Sequence, residues 1–380
     1  MNTPEKNAAA VVVDIHTHLA GVGHGGTNCF IAPAKFNSLF FRLMCWQLGI
    51  TAADHARRLD QAYLERLDWA ITTAAANGAL AAVVVFAHDR IYTEAGEPQA
   101  TGQELFVPNE YVFACAERDA MRGKYMPALS VHPYRRDALD ETARWIERGA
   151  VAMKWLPNSQ GMDPRDKRCV PVFDLLAAKK VPLIVHTAGE HTVNVTRPEL
   201  GNPEVMLPAL DRGVTVVMAH SGTKSGLFDN SFLPQFCALA RKYPNCWGDT
   251  SAFCTPGRTR WIARFLREEG VVEKLLHGSD YPVPPTAWFA LGTLGWKKAR
   301  ELNRIPSLLE RDVRVKRALG LPDSVFTSAA KVLAPGSLQR WGVGIDEGDK
   351  VGNVVLERAE GQTVEPHSSG GGLRKTQEGL

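Results

Sequence analysis

At 380 residues the chain is long enough for one large α/β domain or two smaller ones, and its 45% hydrophobic and 22% charged residues are ordinary for a soluble globular protein. A net charge of +3 is too small to argue for nucleic acid or an anionic membrane surface as a partner. No apolar run approaches the roughly 18 residues of a transmembrane helix.

Residues 1–10 have no apolar core of signal-peptide length and read as a flexible N-terminus. The seven cysteines (29, 45, 115, 169, 237, 246, 254) are scattered, odd in number and without Cys-x-x-Cys spacing. That pattern fits reduced thiols in a cytoplasmic protein better than a disulfide framework.

The first strand signal is Val11-Val12-Val13, leading into Asp14-Ile15-His16-Thr17-His18. Side chains alternate along a strand, so His16 and His18 point one way and Thr17 the other. Two imidazoles side by side at a strand end form a clamp for a borderline metal such as zinc; His-x-His also arises in solvated turns. A glycine-rich loop follows, Gly21-Val22-Gly23-His24-Gly25-Gly26. It lacks the spacing of a phosphate cradle and reads as a mobile loop over a site.

A long helix is expected over 52–77, ended by Gly78 at its C-cap. Ala81 to Phe86 is an apolar run without alternation, the mark of a strand buried on both faces. The rhythm then repeats. Helices from about Asn109, over 137–148, 172–179, 203–212, 233–242 and 258–269 alternate with strands near 126–131, 149–154, 181–186, 214–220, 246–250 and 275–280. Eight strands separated by helices imply βαβ crossovers, and eight such units close naturally into a (β/α)8 TIM barrel. An open doubly wound sheet would fit the alternation but lacks a nucleotide-binding loop here. Residues 11–340 are therefore read as a single barrel. Residues 341–380, polar and glycine-rich, read as a disordered tail.

In such a barrel the functional groups sit at the C-terminal ends of the strands. His16 and His18 end the first strand, Lys154 the fourth, His186 the fifth, His220 the sixth and Asp280 the eighth; His88 and His132 end the second and third. Any one histidine could be a core residue satisfied by a backbone carbonyl. A lysine at a buried strand end is harder to dismiss, since an unpaired buried ammonium costs several kcal/mol.

The segments Val-Asp-Ile-His-Thr-His, Met-Lys-Trp-Leu-Pro, Leu-Ile-Val-His-Thr, Met-Ala-His-Ser-Gly, Gly-Asp-Thr-Ser-Ala and Gly-Ser-Asp-Tyr-Pro occur in that order over most of residues 11–285. The ordered set resembles the amidohydrolase superfamily, in its amidohydrolase-related branch. The resemblance implies a barrel with one or two divalent metals, zinc or alternatively manganese, and most often hydrolysis of an amide, lactam, lactone or ester of a small molecule. By position it assigns His16, His18 and Asp280 to the more buried metal and His186 and His220 to a second. Lys154 matches the lysine that becomes a carbamate bridge.

A divalent ion in such a site activates a water and polarises a carbonyl. Asp280 would take the proton from the water and return it to the leaving group. Asp14, His132, Glu190 and Asp249 are candidates for orienting ligands or touching substrate. Some members of the branch hold one metal through the strand-one pair and the equivalents of His186 and Asp280, with the strand-six histidine, His220 here, acting on water. Such members often decarboxylate aromatic acids or hydrate muconate-type acids, and a few relatives use no metal. Lys154 argues for two metals but could instead bind a substrate carboxylate. A metal-binding barrel without catalysis is the third reading. The expected partner is a small-molecule substrate, not nucleic acid or membrane, and a homo-oligomer is compatible with the composition.

Overall fold

A computed structural model describes residues 11–99, 105–189, 194–226 and 229–344, apart from the side chain of Phe40. Eight strands form one all-parallel sheet in chain order: β1 (Val13–His18), β2 (Ala82–Phe86), β3 (Tyr125–Leu129), β4 (Ala152–Trp155), β5 (Leu183–His186), β6 (Val216–Ala219), β7 (Cys246–Asp249) and β8 (Leu275–Leu276). Every residue of β2 and β3 is buried, as continuous apolar runs require when helices cover one side and barrel interior the other. The chain beyond β8 closes the cylinder onto β1. Ile15 N donates to His277 O at 3.0 Å, Asp280 N to His16 O at 2.9 Å, and His18 N to Tyr281 O at 2.9 Å. The fold is the expected (β/α)8 barrel.

The helix over Ala138–Arg148 shows how sequence sets these elements. Ala138, Thr142 and Trp145 fall on one face and are buried, acidic Asp140 and Glu141 occupy the first turn, and Arg148 the last. The single helix expected over 52–77 is instead two, Ala52–Arg57 and Leu59–Ala76. Arg58 leaves helical geometry (φ −146°, ψ 35°), and the Leu59 amide donates to His24 Nδ1 at 3.1 Å. A side chain from the glycine-rich loop thus caps the second helix, a long-range contact with no local signature. The buried Asp60 in turn accepts the amides of Val22 (2.8 Å) and Gly23 (3.0 Å), tying that loop down.

A lid with no expected element is built mostly from the chain between β1 and these helices. It consists of α1 (Leu39–Gln47), a short turn of helix before it, and a two-stranded antiparallel ribbon of Phe30–Ile31 with Leu105–Phe106. At the other end, residues 341–344, expected in the tail, belong to the packed body. Trp341 is buried with its Nε1 donating to Gly149 O at 2.9 Å, and Val343 is buried beside it. One aromatic and one β-branched side chain outweigh the surrounding glycines. Residues 1–10 and 345–380 lie outside the described residues.

Candidate active site

Strand β1 places His16 and His18 on one face, as the period of two demands. Their Nε2 atoms stand 3.2 Å apart. Asp280 Oδ1 lies 3.2 Å from His18 Nε2 and 3.3 Å from His16 Nε2, so the three donors make a nearly equilateral triangle. His16 is almost wholly buried, while about a quarter of the His18 side chain faces the cavity. His220 joins the group: one donor atom each from His16, His220 and Asp280 lies within 4.8 Å of the others. The His186 ring packs edge-on against His220 with centroids 4.9 Å apart. Lys154 Nζ is buried 3.4 Å from His16 Nε2 and 4.8 Å above the centre of the Phe86 ring.

Two of these residues sit in the left-handed backbone region, His220 at φ 58° and Asp280 at φ 68°. Non-glycine residues enter it at an energetic cost and persist where surrounding bonds fix them. His220 N donates to Asp249 Oδ1 at 2.8 Å, and Val283 N to Asp280 O at 2.8 Å. The turns these bonds hold swing both side chains into the barrel mouth.

Asp249 organises the donors from beneath. His16 Nδ1–H donates to Asp249 Oδ2 at 2.7 Å, leaving His16 Nε2 directed at the triangle. Ser251 brackets the back of His220, its Oγ 2.8 Å and its carbonyl 3.1 Å from Nδ1. Burial, with the Lys154 ammonium beside it, pulls His16 down to about 4. Burial and then Arg258 hold His220 well below the ordinary histidine value. Burial alone would raise Asp280, but the hydrogen bond to His18 and the adjacent imidazoles outweigh it and keep the carboxyl well below the usual range. Neutral imidazoles and ionised carboxylates are the states that metal ligation requires.

Asp14 is fully buried. Its Oδ1 accepts the amides of His16 and Ser279, each at 2.9 Å, and so ties β1 to the turn that carries Asp280. His132 is not drawn into the cluster: its Nε2 bonds Gln160 O at 3.1 Å and its Nδ1 accepts Tyr134 N at 3.1 Å. Glu190 lies outside the described residues. Reasoning from sequence assigned no role to Ser251, although it stands in the quoted Gly-Asp-Thr-Ser-Ala segment. It also missed the cavity walls. Above the triangle, Leu19, Ile31, Phe41, Met44 and Leu105 form an apolar side, with Lys35 and His88 at its edge. A second branch shares His186, His220 and Asp280 and is bordered by Thr255 and the buried Arg258. The α1 run Leu-Phe-Phe-Arg-Leu-Met-Cys-Trp-Gln is apolar nearly all round, a pattern that marks a lid only once the barrel beneath it is known.

The donor set fits a small transition-metal ion. Bonds of about 2.0–2.1 Å in a tetrahedral site separate neighbouring donors by about 3.3 Å, and the triangle has edges of 3.2, 3.2 and 3.3 Å. Two imidazoles beside a carboxylate suit a borderline transition-metal ion better than calcium or magnesium.

Histidines and an aspartate gathered at the C-terminal mouth of an eight-stranded parallel barrel define the class, a (β/α)8 barrel protein with its polar site at the strand ends. Within that class the chain belongs to the amidohydrolase family, whose model matches residues 13–303. It is similar in structure to an uncharacterised TIM-barrel protein of Bordetella bronchiseptica (TM-score 0.54, 16% identity, 87% of this chain and 97% of that one). It is also similar to a 4-oxalomesaconate hydratase of Rhodopseudomonas palustris (TM-score 0.44, 13% identity, 91% and 100%). An amidohydrolase 2 of Bifidobacterium longum subsp. infantis gives a TM-score of 0.43 at 17% identity, covering 83% and 100%. At these identities the likeness concerns fold alone. No curated protein matches the sequence. Among the described residues no helix is long and apolar enough to cross a membrane.

Proposed function

We propose that this protein is a metal-dependent hydrolase that cleaves an amide, lactam, lactone or ester bond of a small molecule. The observation that carries the reading is the donor triangle of His16, His18 and Asp280 on the floor of a cavity open to substrate. When bound, a divalent ion such as zinc or manganese supplies Lewis-acid polarisation and lowers the pKa of water.

The remaining work falls to the chain. His16 and His18 would hold the ion through Nε2, and Asp249 fixes the His16 tautomer that leaves Nε2 free for it. Asp280 accepts a proton from the attacking water and passes it to the leaving group. His220, held from behind by Ser251, presents its other ring nitrogen to the same space. His186, His220 and a carboxylated Lys154 would hold a second ion. The apolar side of the cavity takes the substrate's hydrocarbon portion and excludes bulk water. The test is a screen of lactones, amides and esters with metal-loaded protein, scored against Asp280→Asn. Hydrolysis by the wild type and none by the variant supports the reading.

A second reading is a decarboxylase or hydratase of an aromatic or muconate-type acid. It is favoured by two buried cationic side chains at the cavity, Lys154 beside His16 and Arg258 in the second branch, either of which could receive a substrate carboxylate. Product mass separates decarboxylation from the other two reactions, and loss of the substrate's C=C absorbance separates hydration from hydrolysis. Hydrolysis and hydration each add one water, and decarboxylation removes one carbon dioxide.

A further inference from the structure

Helix α2 (Leu308–Ala318) runs outside the barrel, behind the chain that follows β8. It carries an ion pair that the cavity does not use. Lys316 and Asp312 are one helical turn apart, 0% and 1% exposed, with the ammonium in contact with the carboxylate. Burial alone would pull Lys316 down, but Asp312 beside it outweighs burial and holds it above the ordinary lysine value, so it is a cation. An ion pair at this depth is a poor device for stability alone, since apolar side chains of similar volume commonly serve as well or better.

What the pair does reach is the backbone that carries Asp280. Lys316 Nζ donates to Gly278 O at 2.6 Å. Gly278 also packs close against β1: a Cβ there would lie 2.8 Å from His16 Cβ. The next residue, Ser279, donates its amide to the Asp14 oxygen that also accepts the His16 amide. Asp280 N then donates to His16 O. The ammonium therefore grips, from outside the barrel wall, the peptide that sets the distance between His16 and Asp280.

We infer that the Lys316–Asp312 pair is a positioning device for the metal-binding triangle, acting through the Gly278 carbonyl. The inference rests on the metal-site reading above. Removing the ammonium frees that carbonyl, lets the Gly278–Asp280 turn relax, and spoils the 3.3 Å spacing of His16 Nε2 and Asp280 Oδ1.

The test uses the full chain, stripped of metal and titrated with Co2+ under chelator competition, with the visible absorption spectrum and the melting temperature of the metal-free form recorded. The double variant Lys316→Met/Asp312→Leu replaces the pair with apolar side chains, so it should melt near the wild-type temperature. The expected result is Co2+ binding weakened by about tenfold, the scale seen when groups behind metal ligands are lost, with an altered ligand-field spectrum. A second variant, Lys316→Leu/Asp312→Asn, withdraws the donor to Gly278 O while keeping position 312 polar, and the same loss is expected if the first does not fold. A folded variant with wild-type affinity and spectrum overturns the inference. A wild-type chain that binds no Co2+ overturns the metal reading itself, an outcome distinct from equal binding by wild type and variant.

Discussion

The Nδ1 of His16 stands 2.7 Å from Oδ2 of Asp249, with both side chains sealed from solvent. Burial alone would raise Asp249, but His16 and its hydrogen bond, with His220 close by, hold it well below the usual carboxylate range. The contact sets the His16 tautomer and aims Nε2 at Asp280.

Replacing that carboxylate while keeping its shape should therefore weaken metal binding without unfolding the chain. Asp249→Asn is expected to lower affinity by about 10- to 100-fold in a chelator competition. Unchanged affinity would mean that the His16 tautomer does not matter.

Asp280→Asn should leave the fold intact and lower kcat by about 10²- to 10⁴-fold on whichever substrate the screen finds. The amide nearly matches the carboxylate in shape but cannot take up a proton. Circular dichroism checks the fold and steady-state kinetics the rate. A variant turning over at the wild-type rate would remove Asp280 from the proton transfer.

Lys154→Ala distinguishes one ion from two. In protein prepared with bicarbonate, the metal content is expected to fall from about two per chain to about one, with partial recovery of activity on adding a short-chain carboxylic acid. A wild-type content of one, with an unmodified Lys154 in a high-resolution density map, would assign this lysine to substrate and favour the decarboxylase reading.

His132 gives a pH prediction away from the cluster. Burial pulls it down to about 4 from an ordinary 6.5. The unfolded chain then binds a proton that the folded chain refuses, so the associated stability is present above pH 6.5 and is lost as pH falls towards 4. Between pH 7 and pH 4.5 this amounts to about 2–3 kcal/mol. Urea unfolding of wild type and His132→Gln at both pH values should show a smaller pH dependence in the variant by that amount. Parallel dependence in the two proteins would place the acid sensitivity elsewhere.

The barrel was legible in the sequence because its strands are buried on both faces and read as unbroken apolar runs, such as Ala82–Phe86, between amphipathic helices. The strand-end residues followed from the period of two and the rule that function sits at the C-terminal ends. The break at Arg58 was hidden because its cap comes from His24, 34 residues earlier in the chain. The lid over the cavity was hidden because helix α1 is apolar without a clear polar face. Lys316 was hidden for the opposite reason. It stands beside Arg314 and Arg317 in a charge-rich helix, and only its pairing with Asp312 and its bond to Gly278 O distinguish it. At His132 a strand-end position alone does not distinguish a buried histidine bonded to Gln160 from one that faces the cavity.

The most direct test of the account is elemental analysis of purified wild-type protein beside the His16→Ala/His18→Ala variant. The two Nε2 atoms, 3.2 Å apart, supply two corners of the triangle. The account predicts tightly bound zinc or manganese in the wild type and its loss in a variant that remains folded. Equal metal in both proteins, or none in the wild type after growth with both ions supplied, would contradict it.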